Sequence, residues 1–191
     1  MFKFALLAIL FCLAGCSSRL PVSAFAPTTS PATSPPGALS PQNTRITFIG
    51  SALAASHEGT FTRFSGQLDC PDSDPTDAHI VVEIEMDSIT TDIPLLTKHL
   101  KESDFFEVKK YPTARFVSTR IQPGANPTIA GDFTIHGVTK SLMFPAKFQT
   151  DGRTITLDAT ITIRQSDFAM QSARITNDDV PVTVSIRVRQ P

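Results

Sequence analysis

Tryptophan is absent from the 191-residue chain and tyrosine occurs once, whereas phenylalanine occurs fourteen times. Aromatic burial therefore falls to phenylalanine, which carries no polar atom into an interior. Charged residues make up only 18% of the chain, below the roughly 25% of an average globular domain. The formal net charge is −1. No cluster of Lys and Arg offers the cationic surface that nucleic acid requires. Cysteine occurs three times, as Cys12, Cys16 and Cys70. No Cys-x-x-Cys pair, His-Glu-x-x-His motif, nucleophile elbow, phosphate loop or dinucleotide fingerprint occurs. His57, His79, His99 and His136 are scattered, and Asp77 with His79 forms no more than a surface pair. The acidic pair Asp178-Asp179 follows Asn177, where turn chemistry accounts for it. The expectation is no catalytic residue, no metal and no cofactor.

A long apolar run is also missing, with one exception at the N-terminus. "MFKFALLAILFCLAGCSS" has a single charge, Lys3, and an apolar stretch from Phe4 to Ala14. That stretch falls short of the ~20 residues of a membrane span but suits a secretory signal. It ends in Leu13-Ala14-Gly15-Cys16, which resembles a bacterial lipobox. The resemblance implies removal of residues 1–15 and acylation of Cys16, with an ordinary secretory cut nearby as the alternative. Ser17 at the following position implies the outer membrane in lipoproteins, facing the periplasm. With Cys12 removed and Cys16 acylated, only Cys70 remains, so no internal disulfide is expected. Residues 17–42, rich in Pro, Ser, Thr and Ala, read as a tether. The folded domain is expected over residues 43–191.

Within that domain apolar residues alternate with polar ones. Ile46 and Phe48 share a face. So do Ile80, Val82, Ile84 and Met86; Ile129, Phe133 and Ile135; and Leu142, Phe144, Ala146 and Phe148. Residues 155–163 and 180–188 continue the pattern, and turn signals such as His136-Gly137 and Asp151-Gly152 separate the runs. Such strands form an antiparallel sheet with one face to hide. Closing the sheet into a barrel hides that face and removes the edges. The fold class is therefore all-β, with about eight strands. One helical stripe interrupts it, formed by Leu95, Leu96, His99 and Leu100. A single short helix cannot cover an open sheet of that size, but it can plug a barrel mouth. Phe105 and Phe106 follow it in a segment crowded with charge, and at least one ring is expected to turn down into the mouth.

Four stretches carry a family resemblance. "HEGTFTRFSGQL" resembles the His-x-Gly-x-Phe-x-x-Phe-x-Gly stretch of the YceI-like family. "HLKESDFFEVKKYPTARFVSTRI" resembles its Leu-Lys-x-x-Asp-Phe-Phe signature. "GDFTIHGVTKSLMFPAKF" resembles its Gly-Asp-Leu-Thr-Ile-His-Gly-Val-Thr-Lys hairpin, and "RQSDFAM" its Arg-x-Asp-Phe-Gly-Met run. The resemblance spans about residues 44–190. It implies an extended, lipocalin-like antiparallel barrel, periplasmic or secreted, holding a polyisoprenoid or similar lipid in its lumen. Two departures stand out. Ala169 replaces the glycine after Asp167-Phe168, a strained choice if that position needs positive φ. The segment Arg164-Gln165-Ser166-Asp167 is one residue longer than the family run.

If a lipid binds, burial without chemistry is the mechanism. The candidate lining residues are Phe48, Phe61, Ile84, Leu96, Leu100, Phe105, Phe106, Phe116, Phe133 and Phe144. Plain core packing would serve each of them equally well. Candidates for a polar head, of the isoprenoid quinone or polyprenyl phosphate class, are His99, Lys98 and Lys101, with a solvated helix face as the alternative. His136, before Gly137, reads as a turn residue. The expected partners are an apolar isoprenoid lipid, the membrane through Cys16 and, as an open option, a second copy in a homodimer. Two other readings stand beside the carrier: an interaction module with a self-filled barrel, and an enzyme with an unrecognised site.

Overall fold

Period-two alternation carries through into strands. The computed structural model describes residues 35–52, 55–71, 74–170 and 177–191. The expected signal peptide, Cys16 and the first part of the expected tether lie outside the described residues. Eleven strands form one sheet: β1 (Ala38–Leu39), β2 (Thr44–Ala52), β3 (Ala55–Phe61), β4 (Phe64–Asp69), β5 (His79–Glu85), β6 (Ile89–Thr91), β7 (Thr113–Gln122), β8 (Thr128–Ile135), β9 (Val138–Asp151), β10 (Thr154–Arg164) and β11 (Asp179–Arg189). A helix, α1 (Pro94–Leu100), follows β6.

The hydrogen-bonded order is β1-β4-β5-β7-β8-β9-β10-β11-β2-β3-β6, and every pairing among the described residues is antiparallel. The two ends of that order belong to the same long strands. β3 runs into β4 across Thr62 and Arg63, and β5 runs into β6 through a 3-10 turn at Met86–Ser88. Eleven segments stand where about eight were expected because these two strands bend and β1 is a two-residue addition. Read continuously, eight long strands curl round until β2 meets both β11 and β3.

The bends are cross-braced. Thr62 donates to the Ser88 carbonyl through its amide and its hydroxyl, at 3.2 and 3.1 Å, and the Ser88 hydroxyl donates to the Arg63 carbonyl at 3.1 Å. Phe61 and Phe64, three residues apart, are both buried, which a regular strand forbids and this bend permits. The sheet also begins earlier than Asn43. Gly37 donates to the Arg189 carbonyl at 2.9 Å and its own carbonyl accepts from Leu68 at 2.8 Å, so residues 37–39 tie β4 to the end of β11.

The buried core is almost wholly aliphatic and phenylalanine, and it lies on the inner face of the curl. Ser118 is a buried polar exception. It sits at a register shift in β7, where its hydroxyl accepts from the Ile80 amide at 2.8 Å. α1 starts with Pro94, whose fixed φ suits a first helical residue. Only part of the expected stripe turns inward: Leu96 and Leu100 are half-buried, whereas Leu95 is 76% exposed and His99 is exposed. The helix is seven residues long and spans two turns, too few to bury four positions.

Candidate functional site

The inner face encloses a cavity of about 230 Å3. Its wall draws on every long strand of the ring: Phe48 from β2, Phe61 from β3, Ile84 from β5, Phe116 from β7, Phe133 from β8, Phe144 from β9, Leu157 from β10 and Ile186 from β11. Leu96 and Leu100 of α1, with Phe105 and Phe106, complete it at one end. All ten candidate lining residues thus face one space. Both rings of the Phe105-Phe106 pair reach it. Phe106 packs on the core, and Phe105 meets His99 edge-on with ring centroids 4.9 Å apart.

Glycine beside phenylalanine helps keep the space open. Gly59 pairs with Phe48 across β2 and β3, and a Cβ on Gly59 would overlap the Phe48 ring. A Cβ on Gly131 of β8 would likewise overlap the Phe116 ring of β7. The tip of each ring takes the place a Cβ would fill on the neighbouring strand. Phe116 also leans on Phe144, with centroids 5.7 Å apart.

The three head-group candidates are not among the cavity-lining residues. Lys101 instead reaches Asp87, with Nζ 3.1 Å from the carboxylate and 2.6 Å from the main-chain carbonyl. Lys98 and His99 lie on the exposed side of α1. The polar groups that do reach the cavity come from strand ends and loops at the α1 end: Ser51, His57, Thr91, Gln165 and Asn177. His57 Nδ1 lies 3.1 Å from the Asp92 carboxylate. Gln165 Nε2 donates to the Asn177 carbonyl at 2.8 Å, and the Asn177 amide donates to the Ser51 carbonyl at 2.8 Å. Strand polarity would have found this group. Ser51, Thr91, Gln165 and Asn177 stand at the end of one strand, just beyond one or just before the next, so all fall at the same rim.

His136 sits in the two-residue turn between β8 and β9 with φ 52°, beside Gly137 at φ 75°. Its Nδ1 lies 3.3 Å from the Phe168 carbonyl, an acceptor, and its ring centroid is 4.2 Å from that of Tyr111. Ala169 adopts φ 55°, the left-handed region that glycine enters without a Cβ clash. Cys70 is buried, and its Sγ donates to the Asp74 carbonyl at 3.4 Å. Burial, and then Asp74 and Asp77, push its thiol up, which makes it a poor nucleophile. Among the described residues, no three of His, Cys, Asp and Glu gather as a metal site. Nor is any helix among them long and apolar enough to cross a membrane.

Comparison with known proteins agrees with this architecture. A UPF0312 protein of Pseudomonas putida is 32% identical over 136 residues, covering 67% of this chain and 71% of the relative. Among solved structures, Burkholderia cenocepacia BcnA superimposes with a TM-score of 0.70 at 23% identity, over 76% of this chain and 96% of that one. A polyisoprenoid binding domain from Saccharophagus degradans gives a TM-score of 0.62 at 15% identity, over 78% and 94% of the two chains. The family model described as the YceI-like domain matches residues 38–188, nearly the whole ring of strands, and the chain belongs to that family.

Proposed function

We propose that this protein binds an isoprenoid-type lipid in the lumen of its barrel and carries or sequesters it, without catalysis. One observation carries the reading: the phenylalanine and aliphatic faces of all eight long strands surround a hollow instead of filling it. A chain entering that space leaves water along its length, at roughly 25 cal/mol per Å2 of apolar surface. Affinity then rises with chain length until the lumen is full. A barrel of eight strands is wide enough for one slender ligand. The solved polyisoprenoid binding domain of like fold supports the isoprenoid class. A self-filled interaction module fits the hollow less well.

The head, of the isoprenoid quinone or polyprenyl phosphate class, rests at the rim near His57, Gln165 and Asn177. Residues 1–15 direct export and acylated Cys16 anchors the protein in the bacterial envelope, at the outer membrane facing the periplasm. No nucleic acid is involved, and a homodimer is compatible with this arrangement.

Native mass spectrometry of protein purified from its host tests the reading, with a co-purifying prenyl lipid expected. Phe106→Asp places a charge in the lumen wall, where its desolvation opposes binding. It should abolish lipid uptake while the far-UV spectrum of a β protein persists. A wild-type protein that is empty and takes up no prenyl chain overturns the carrier.

A further inference from the structure

β9 and β10 are not paired along their whole length. Their ladder runs from Thr154↔Asp151 to Ala159↔Ala146 and stops there. Beyond it, among the described residues, β9 pairs only with β8 and β10 only with β11. Pro145, which has no N–H to offer a ladder, stands next to the last pair. The barrel therefore has a seam at its α1 end. About five residues a side at ~3.3 Å each make it roughly 15 Å long.

A shallow notch opens on the outer surface, walled by Lys140, Leu142, Thr162 and Arg164, with Phe168 at its head. Leu142 lines both this notch and the lumen. Phe168 is only 1% exposed and meets Phe133 edge-on, with centroids 5.5 Å apart. It precedes Ala169, so the plug hangs on a residue in a strained conformation. Lys140 has the parity of Leu142 and Phe144, the lumen side, yet it is exposed and faces the notch. An inward-parity charge on a strand edge discourages pairing. Outside the seam, Met143 is 71% exposed and offers an apolar contact. The mouth, by contrast, is crossed by Phe105, Phe106 and α1, with Lys101 clasped to Asp87 at the helix end.

We infer that the lumen is loaded from the side: an apolar chain passes between β9 and β10 as Leu142 and Phe168 swing aside. The inference rests on the carrier reading, and the test separates the two. Extended by three residues, the ladder would set Met143 opposite Thr162. Met143→Cys with Thr162→Cys, in a background of Cys16→Ser and Cys70→Ser, allows the seam to be bolted by oxidation. Where the gap is too wide for a disulfide, a short bismaleimide closes it. The probe is farnesol carrying an environment-sensitive fluorophore, added to lipid-stripped protein. Bolting should slow both uptake and release at least tenfold, leave Kd unchanged and, for the disulfide, reverse on reduction. Unchanged rates in protein whose cross-link is verified by mass overturn the side entrance while the carrier stands. A changed Kd with unchanged kinetics of entry also overturns it. No binding by the uncross-linked form overturns the carrier and the entrance together.

Discussion

Ala169 has the backbone of a glycine. At φ 55° its Cβ crowds the following carbonyl, at a cost of ~1–2 kcal/mol. Ala169→Gly removes that strain but frees the unfolded chain, which offsets ~0.4–1 kcal/mol. The net expectation is a gain of about 1 kcal/mol, read as a higher urea midpoint at unchanged slope. A lower midpoint would show that the turn tolerates alanine without strain. The residue stood out in the sequence as a departure from a motif, and the structure supplies the reason. Other single residues were less legible. Parity put Phe48, Phe133 and Phe144 on one side of their strands, and they face one space. Parity says nothing about which end of a strand lies at a rim. In the sequence His57 is therefore one of four scattered histidines, whereas the helix lysines stand out by their charge.

Among elements, the turn after β10 is tied by Asp178. Its carboxylate accepts from the Ser166 hydroxyl and from the Ser166 amide, the latter at 2.8 Å. These bonds, with Arg164 adding attraction, hold Asp178 below the usual carboxylate range. A carboxyl depressed in the folded state stabilises above its unfolded value and loses that contribution as the pH falls through its folded value. The turn should therefore loosen below about pH 4. Hydrogen exchange at the Ser166 amide, corrected for intrinsic rate, should show protection lost there in acid, and Asp178→Asn should remove the pH step. A step that survives the substitution assigns it to another group. The strands that Asp178 helps to join were legible from alternation alone. Their interruptions were less so. A three-residue spacing between Phe61 and Phe64 marks a bend only once both are known to be buried. β1 hides in a Pro- and Ser-rich stretch because its two residues are recruited by backbone bonds, which leave no side-chain pattern. The seam depends on register between β9 and β10, and period two fixes faces rather than registers.

At the scale of the whole molecule, export and anchorage make a separate claim from the barrel. Several acyl chains at ~0.8 kcal/mol per buried methylene hold a protein on a membrane, whereas a single chain holds it only transiently. Cys16→Ser should move the protein from the membrane fraction to the soluble periplasm, as judged by fractionation and blotting. Persistence on the membrane would assign the anchorage to another feature. The barrel itself should fold and bind as before, because Cys16 precedes all the described strands in the sequence.

The glycines at 59 and 131 have a consequence for relatives of this chain. At those two levels the bore is as wide as a hydrogen atom on the neighbouring strand permits. A homologue that keeps every phenylalanine but carries alanine or larger at either level must tip a ring toward the axis. Two proteins with identical aromatic walls can thus accept chains of different girth, and the residues that decide it never touch the guest.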